Sequence, residues 1–228
     1  MKISVAIPTY EMNGKGVEAL EHSFKILQKQ TLKDFEVVIS DHSRNDAIEE
    51  LCKYYSDNFL NIIYYRNKEK RGNPASNTNE AISLSSGEFI KILCQDDYLY
   101  SEDSLELTYK AIKDSGRYWL ASMYVHSNDR INHYRNYLPR MNPNIELVNT
   151  IGTPSCITIE GTFWDKFDEN LSYYYDCEWY KRVFENNGSP YILFTPTMVN
   201  YIHTNQVTKG ISEELERSEI EYIKRKYS

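Results

Sequence analysis

Residues 87–100, reading GEFIKILCQDDYLY, constrain the fold more than any other stretch of the chain. Residues 89–93 form an apolar run rich in β-formers, interrupted only by Lys91. That is the pattern of a strand buried on both faces of an α/β sheet. The run stops at Cys94-Gln95-Asp96-Asp97. Two adjacent carboxylates just past a buried strand are costly unless something positive sits against them. Ligands of open α/β sheets bind outside the carboxyl ends of the strands. Carboxylates there suit a hard divalent cation, Mg²⁺ or Mn²⁺, with phosphate oxygens as further ligands. An Asp-Asp pair on its own is more often a solvated turn, and the surrounding chain is what shifts the weight.

That chain alternates. Residues 2–7 read as a first strand buried on both faces, followed by the loop Pro8-Thr9-Tyr10-Glu11. Val17, Leu20, Phe24 and Leu27 have helical spacing over 17–30. Residues 35–40 are a second strand, ending at Asp41. Ser43 with Asp46 three residues on resembles a capping box for a helix reaching Tyr55. A third strand over 61–65 and a turn at Arg71-Gly72-Asn73-Pro74 follow, with Pro74 suited to a first helical position and a helix over 75–85. The order β-α-β-α-β-α-β predicts a parallel sheet with right-handed crossovers. Beyond it the sequence predicts a helix over 101–113 and a strand over 118–126. Residues 132–149 read as irregular or a hairpin, and 155–159 as a strand. A helix over 176–187, strands over 191–194 and 198–203, and a charged helix over 212–227 complete the chain.

At 228 residues this is enough for one sizeable core. A net charge of −7 argues against a nucleic-acid partner, which usually meets a basic face. Cys52, Cys94, Cys156 and Cys177 show no CxxC spacing and read as reduced thiols of a cytoplasmic protein. The first apolar run is too short for a secretory signal and ends at Pro8, and no run of about 18 apolar residues suggests a membrane span.

Pro8-Thr9-Tyr10, Asp41 after the second strand, Gly72 with Ala75-Ser76-Asn77, and Ser86-Gly87-Glu88-Phe89-Ile90 leading into Asp96-Asp97 together resemble glycosyltransferase family 2. The resemblance is good over the first 100 residues and looser to about His203. It implies the GT-A fold, a Rossmann-like, mostly parallel sheet flanked by helices. A nucleotide-sugar-binding half would cover 1–100, an acceptor-binding half 101–211, and a terminal helix 212–228. It implies inverting transfer from a nucleotide-sugar donor, UDP-linked by preference, to a glycan or lipid-linked saccharide acceptor, with Mn²⁺ or Mg²⁺ as cofactor.

Residue by residue, the resemblance puts Pro8, Thr9, Tyr10 and Glu11 along the nucleotide, with Asp41 accepting from the base. Arg71, Asn77, Gln95 and Asp96 join that nucleotide-binding set. Asp97 matches a direct metal ligand, and His203 a residue beside the metal or diphosphate. Asp176 matches the general base. Two positions depart from the family: Cys94 stands where a further Asp is common, and Tyr175 replaces the Glu of a Glu-Asp pair. Plainer roles stay open beside these. Asp41 can cap a helix with Ser43, Arg71 can be a solvated surface residue, and His203 can be structural. Asp176 can be an N-cap, with Glu178 as the substitute base. Trp164 and Trp179 fit a core better than a sugar platform, residues 152–155 shape the acceptor side, and Lys209-Gly210 reads as a loop that closes over the donor. The terminal helix can pack on its own domain, on a second copy in a homodimer, or on a membrane surface.

Two other functions compete. A sugar-phosphate nucleotidyltransferase would carry a glycine-rich loop after the first strand, which Pro8-Thr9-Tyr10-Glu11 does not offer. A non-catalytic nucleotide-sugar-binding subunit of a glycan-assembly complex is kept open by Cys94 and Tyr175, and opposed by Asp97 and Asp176.

Overall fold

The computed structural model describes residues 1–162, 164–203 and 211–228. The predicted alternation is present as β1 (Ile3–Thr9), α1 (Gly16–Leu27), β2 (Phe35–Asp41), α2 (Ala47–Asn58), β3 (Ile62–Arg66), α3 (Pro74–Ser83) and β4 (Phe89–Ile92). These strands lie in the order β3-β2-β1-β4, all parallel. Successive side chains of β1 feed two cores, one on each face of the sheet. Ile3, Val5 and Ile7 share a core with Leu20, Phe24 and Leu27 of α1 and Ile48 and Cys52 of α2. Ala6 shares the other with Ala75, Ala81 and Ile82 of α3. Helices on both faces are why β1, β2 and β4 read as continuous apolar runs. Pro8 lies beyond the last β1–β4 pair, Ala6 with Ile92, so its missing N–H costs no ladder bond to β4.

The second half of the sheet is mixed. After β4 come β5 (Tyr98–Leu99), α4 (Ser104–Ser115), β6 (Trp119–Ser127), β7 (Tyr134–Tyr137), β8 (Ile157–Glu160), α5 (Tyr175–Asn187), β9 (Tyr191–Tyr201) and α6 (Glu213–Lys226). In space the sheet continues from β4 through β8, β6 and β9 to β5, with β7 paired to β6. β8 is antiparallel to β4 and β6, whereas β9 is parallel to β6 and antiparallel to β5. Trp119, Trp179, Tyr180 and Ile159 fill the core beneath α5, and Trp164 packs against its edge.

Three local expectations change. Residues 98–99 form β5, pairing with β9 directly after the Asp96-Asp97 turn. The two late strands are one, β9, whose pairing with β6 jumps from Ser122–Leu193 to Tyr124–Met198. Pro196 occupies that break, where its missing N–H is harmless. The Ser43–Asp46 capping box does not form: α2 starts at Ala47 without a side-chain cap, and Asp46 pairs instead with Arg66 at 3.2 Å.

Candidate active site

The carboxyl ends of β1, β2 and β4 meet in one crevice, and hydrogen bonds between those ends fix its floor. Thr9 Oγ1 donates to Asp41 Oδ1 at 3.2 Å, tying β1 to β2. Asn77, near the start of α3, donates from Nδ2 to the Thr9 carbonyl at 3.0 Å and accepts from Ser40 Oγ at 2.7 Å. Gln95 receives the Tyr10 amide on Oε1 and donates from Nε2 to the Gly16 carbonyl, each at 2.9 Å. Gly16 has to be glycine, because a Cβ there would overlap the Tyr10 carbonyl oxygen. Tyr10 stays exposed with its phenol close to Asp96 and Glu11; burial, then those two charges, raise its pKa.

Asp41 is fully buried. Its Oδ1 also accepts the Ser43 amide at 2.9 Å, and its Oδ2 accepts Tyr64 Oη at 2.8 Å, with Arg66 Nε 3.5 Å away. The carboxylate is thus held by β3 as well as by its own turn. Arg71 is exposed on the neighbouring loop. Beside it His42 is buried, accepting the Gly72 amide on Nδ1 at 3.3 Å while its Nε2 has no partner among the described residues. Burial lowers the His42 pKa, so the ring is neutral.

The two aspartates of the central turn point in opposite directions. Asp97 faces inward at 1% exposure. Its Oδ1 accepts Asn200 Nδ2 at 2.9 Å and the Tyr201 amide at 3.0 Å, and its Oδ2 accepts Thr153 Oγ1 at 3.2 Å. Burial and then the charge of Asp96 raise its pKa. Both oxygens of Asp97, the residue expected to ligate a metal directly, thus accept hydrogen bonds from protein groups. Its bonds fix the end of β9, and two residues later His203 Nε2 lies 2.8 Å from Asp96 Oδ2. Asp96 and His203 line one small pocket with Lys15, Glu18, Arg130 and Tyr201. Arg130 stacks over Tyr201 at 4.5 Å, and Tyr201 stacks on His203 at 5.4 Å, which orients the imidazole.

No three His, Cys, Asp or Glu side chains converge among the described residues. Asp96 and His203 offer one hard oxygen and one imidazole nitrogen at one point. That fits Mg²⁺ or Mn²⁺ as nucleotide sites use them, with the remaining positions taken by diphosphate oxygens and water. Cys94 gives its backbone amide to Ser155 Oγ at 2.8 Å, and burial raises its thiol pKa, so it adds no ready thiolate.

Asp176 is the second residue of α5 and is nine-tenths buried. Its Oδ1 accepts the Cys177 amide at 2.7 Å and its Oδ2 accepts Asn149 Nδ2 at 3.2 Å. Burial pushes its carboxyl up to about 6, against the pull of the Cys177 amide. Tyr175 sits between the two carboxylate regions: burial, then Cys94, Asp176 and Asp96, raise its phenol. Glu178, the alternative base, is fully buried; its Oε1 lies 2.9 Å from Arg182 and 3.0 Å from Lys226. Burial pushes its pKa up, but the two cations outweigh it and hold it below the ordinary value. A carboxylate so paired is a structural ion pair, not a base.

The loop over 149–155 joins the two halves. Asn149 reaches Asp176, Thr153 reaches Asp97, and Lys91, fully buried in β4, donates to the Ser155 carbonyl. Gly152 makes this possible with φ +104°, and a Cβ there would overlap Tyr124 Oη. Sequence reasoning missed Tyr64, Arg66, Asn149 and Asn200. Arg66 could have been found, since it ends a strand at the ligand-binding edge. Lys209-Gly210 lies outside the described residues.

A sequence model described as glycosyl transferase family 2 matches residues 4–170. Over 110 residues the chain is 31% identical to a Campylobacter jejuni protein named GalNAc(5)-diNAcBac-PP-undecaprenol beta-1,3-glucosyltransferase, covering 48% of this chain and 34% of that one. The chain thus spans about a third of that relative's length. Among solved structures, residues 1–349 of Staphylococcus aureus TarS with UDP superpose at TM-score 0.71 and 21% identity, over 89% of this chain and 61% of that fragment. TarS has also been solved with UDP-GlcNAc. A Pyrobaculum calidifontis mannosyltransferase with GDP-Man and Mn²⁺ superposes at TM-score 0.59 and 16% identity, covering 89% of this chain and 57% of that one. The mixed sheet flanked by helices is the GT-A architecture of these neighbours.

Proposed function

This chain belongs to glycosyl transferase family 2, and from that premise we propose that it transfers a sugar, with inversion, from a UDP-linked donor to a hydroxyl of a lipid-linked or polymeric glycan. The observation that carries the proposal is the division of the carboxylates. Asp96 opens to a pocket with His203, while Asp176 stands apart on α5 with a carboxyl raised to about 6. A displacement at an anomeric carbon needs those two things apart, with charge compensation on the leaving side and a base on the attacking side.

The roles follow from position. Thr9, Tyr10, Asp41 and Asn77 shape the nucleoside end of the crevice, and Arg71 on its exposed loop is free to reach the diphosphate. Asp96 and His203 would hold Mn²⁺ or Mg²⁺, which supplies Lewis-acid neutralisation of the diphosphate. Asp176 accepts the proton of the acceptor hydroxyl as its oxygen bonds to the anomeric carbon. The bond from that carbon to the diphosphate oxygen breaks, and the nucleoside diphosphate leaves. A carboxyl near 6 is ionised at neutral pH yet basic enough to take that proton. The ligands of the TarS structures support UDP, the GDP-Man complex supports the ion, and the name of the Campylobacter relative supports a lipid-linked acceptor.

A thermal-shift panel of UDP- and GDP-sugars with Mn²⁺ or Mg²⁺ tests this reading. The right nucleotide at a hundredfold its Kd should stabilise the chain by about 2.7 kcal/mol. Asp96→Ala should remove the metal-dependent part of that shift, and the donor that shifts should be turned over to free UDP. Metal-dependent binding without any turnover would mark a non-catalytic subunit instead.

A further inference from the structure

We infer that Glu219, on the C-terminal helix α6, is a positioning residue for Asp176, an inference that rests on Asp176 being the base. Glu219 is buried at 3% exposure, and among the described residues its carboxylate bonds to the backbone just ahead of α5. Oε1 accepts the Ser172 amide at 2.7 Å, Oε2 accepts the Tyr174 amide at 3.0 Å, and the Tyr173 amide lies 3.0 Å from Oε2 and 3.3 Å from Oε1. Asp176 follows two residues after the last of these amides.

A helix begins with N–H groups that have no partner inside the helix and normally receives a capping side chain from its own N-terminus. Tyr174, the N-cap of α5, makes no side-chain cap bond. Asp176 Oδ1 takes one first-turn amide, that of Cys177. The Tyr174 amide, and the two before it, find their acceptor in Glu219, more than 40 positions later in the chain. The charge sits where the positive end of the α5 dipole favours an anion.

The rest of α6 holds the same segment through its side chains. Tyr222 Oη donates to Asp168 Oδ2 at 2.8 Å, and Lys226 lies 2.6 Å from the same oxygen. Lys226 and Tyr227 Oη each reach Glu178 Oε1 at 3.0 Å, and Tyr174 Oη donates to Glu216 at 3.1 Å. These contacts flank Asp176 on both sides in sequence, at 168 and 178. Glu219 alone among these α6 residues fixes main-chain positions, so it sets where the first turn of α5 starts. Displacements of about 1 Å at a reacting group can cost about 10²-fold in rate.

Two measurements on the full chain test this: amide hydrogen exchange over residues 172–178, and UDP release from UDP-GlcNAc with Mn²⁺. In Glu219→Gln, exchange over 172–178 should quicken about tenfold or more while β1 to β4 keep their protection. UDP release should fall about 10- to 100-fold with KM for UDP-GlcNAc unchanged. The double variant Glu219→Gln with Asp176→Asn should be no slower than Asp176→Asn alone, because a residue acting through another adds nothing once that other is gone. Glu219→Asp, which keeps the charge on a shorter stem, should be intermediate and serves if the Gln variant does not fold. Unchanged exchange in the variants overturns the inference whatever the rates. Faster exchange with normal release, where Asp176→Asn does slow release, overturns the positioning role. Normal release in Asp176→Asn, or none from the unaltered chain, instead overturns the base reading or the donor, and exchange then decides the strap by itself.

Discussion

The two halves of this molecule hold their functional side chains by different means. In the parallel half, Thr9 bonds to Asp41, Asn77 bonds to Thr9 and Ser40, and Gln95 ties Tyr10 to Gly16. The parallel order β3-β2-β1-β4 brings those ends together without further help. In the mixed half Asp97 is tied to Asn200, Tyr201 and Thr153, but Asp176 lies off the sheet on α5. Asp176 is held by residues distant in sequence: Asn149 directly, and Glu219 through the backbone before α5. A site built on sheet topology is rigid wherever the sheet is intact. A site built on a loop and on a contact from a distant helix is adjustable.

The largest expected effect separates the halves by readout. Asp176→Asn keeps the shape of the side chain but cannot take a proton, so kcat should fall by about 10²–10⁴ with UDP affinity unchanged by calorimetry. With the carboxyl near 6, only the ionised form works as a base. The rate should therefore drop about tenfold per pH unit below that value and level above it, and the variant should lose this limb. A variant that loses UDP affinity along with kcat would mean the halves are not separable.

A second change attacks the seam. Gly152 has φ +104°, and an added Cβ would overlap Tyr124 Oη. Backbone strain at such a position costs about 1–3 kcal/mol, and overpacking about 1–3 more. Gly152→Ala should lower stability in urea by about 2–6 kcal/mol. It should also slow turnover more than it weakens UDP binding, since Asn149 and Thr153 move with it. A loss well below 1 kcal/mol would show that the loop yields freely and does not couple the halves.

The contrast also explains what the sequence disclosed. Strands β1, β2 and β4 are legible because burial on both faces makes each a short apolar run, and their loops then fall on one edge by topology alone. Asp96 and Asp176 are legible as carboxylates at element ends. Asn149 and Glu219 are not, because nothing local distinguishes an Asn in a polar loop or a Glu in a charged helix from its solvated neighbours. Their roles exist only in contacts across 27 and 45–47 positions. The inward orientation of Asp97 was also hidden. Adjacent residues of a turn face opposite ways, and which of them faces inward depends on Asn200 and Tyr201 about 100 positions on.

The smallest expected effect tests what the inward-facing Asp97 does. If Asp97 is an anchor, its substitution by an acceptor of the same shape should cost little. Asn keeps an oxygen for Asn200 and the Tyr201 amide, and its Nδ2 can donate to Thr153 Oγ1, whose hydroxyl turns to accept. It also removes a buried charge. The Asp97 pKa is raised by burial and by Asp96, so the folded state prefers the protonated form. A carboxyl of this kind contributes stability below its unfolded pKa and loses it as pH rises through the folded value. Asp97→Asn should thus match the unaltered chain in acid and equal or exceed its Tm at pH 8. Mn²⁺-dependent UDP affinity should stay within a few-fold, because the Asp96–His203 pair is still presented by the same turn. Loss of metal-dependent UDP binding in Asp97→Asn, with Tm unimpaired, would return Asp97 to the metal and make the inward-facing turn a resting arrangement that nucleotide rearranges.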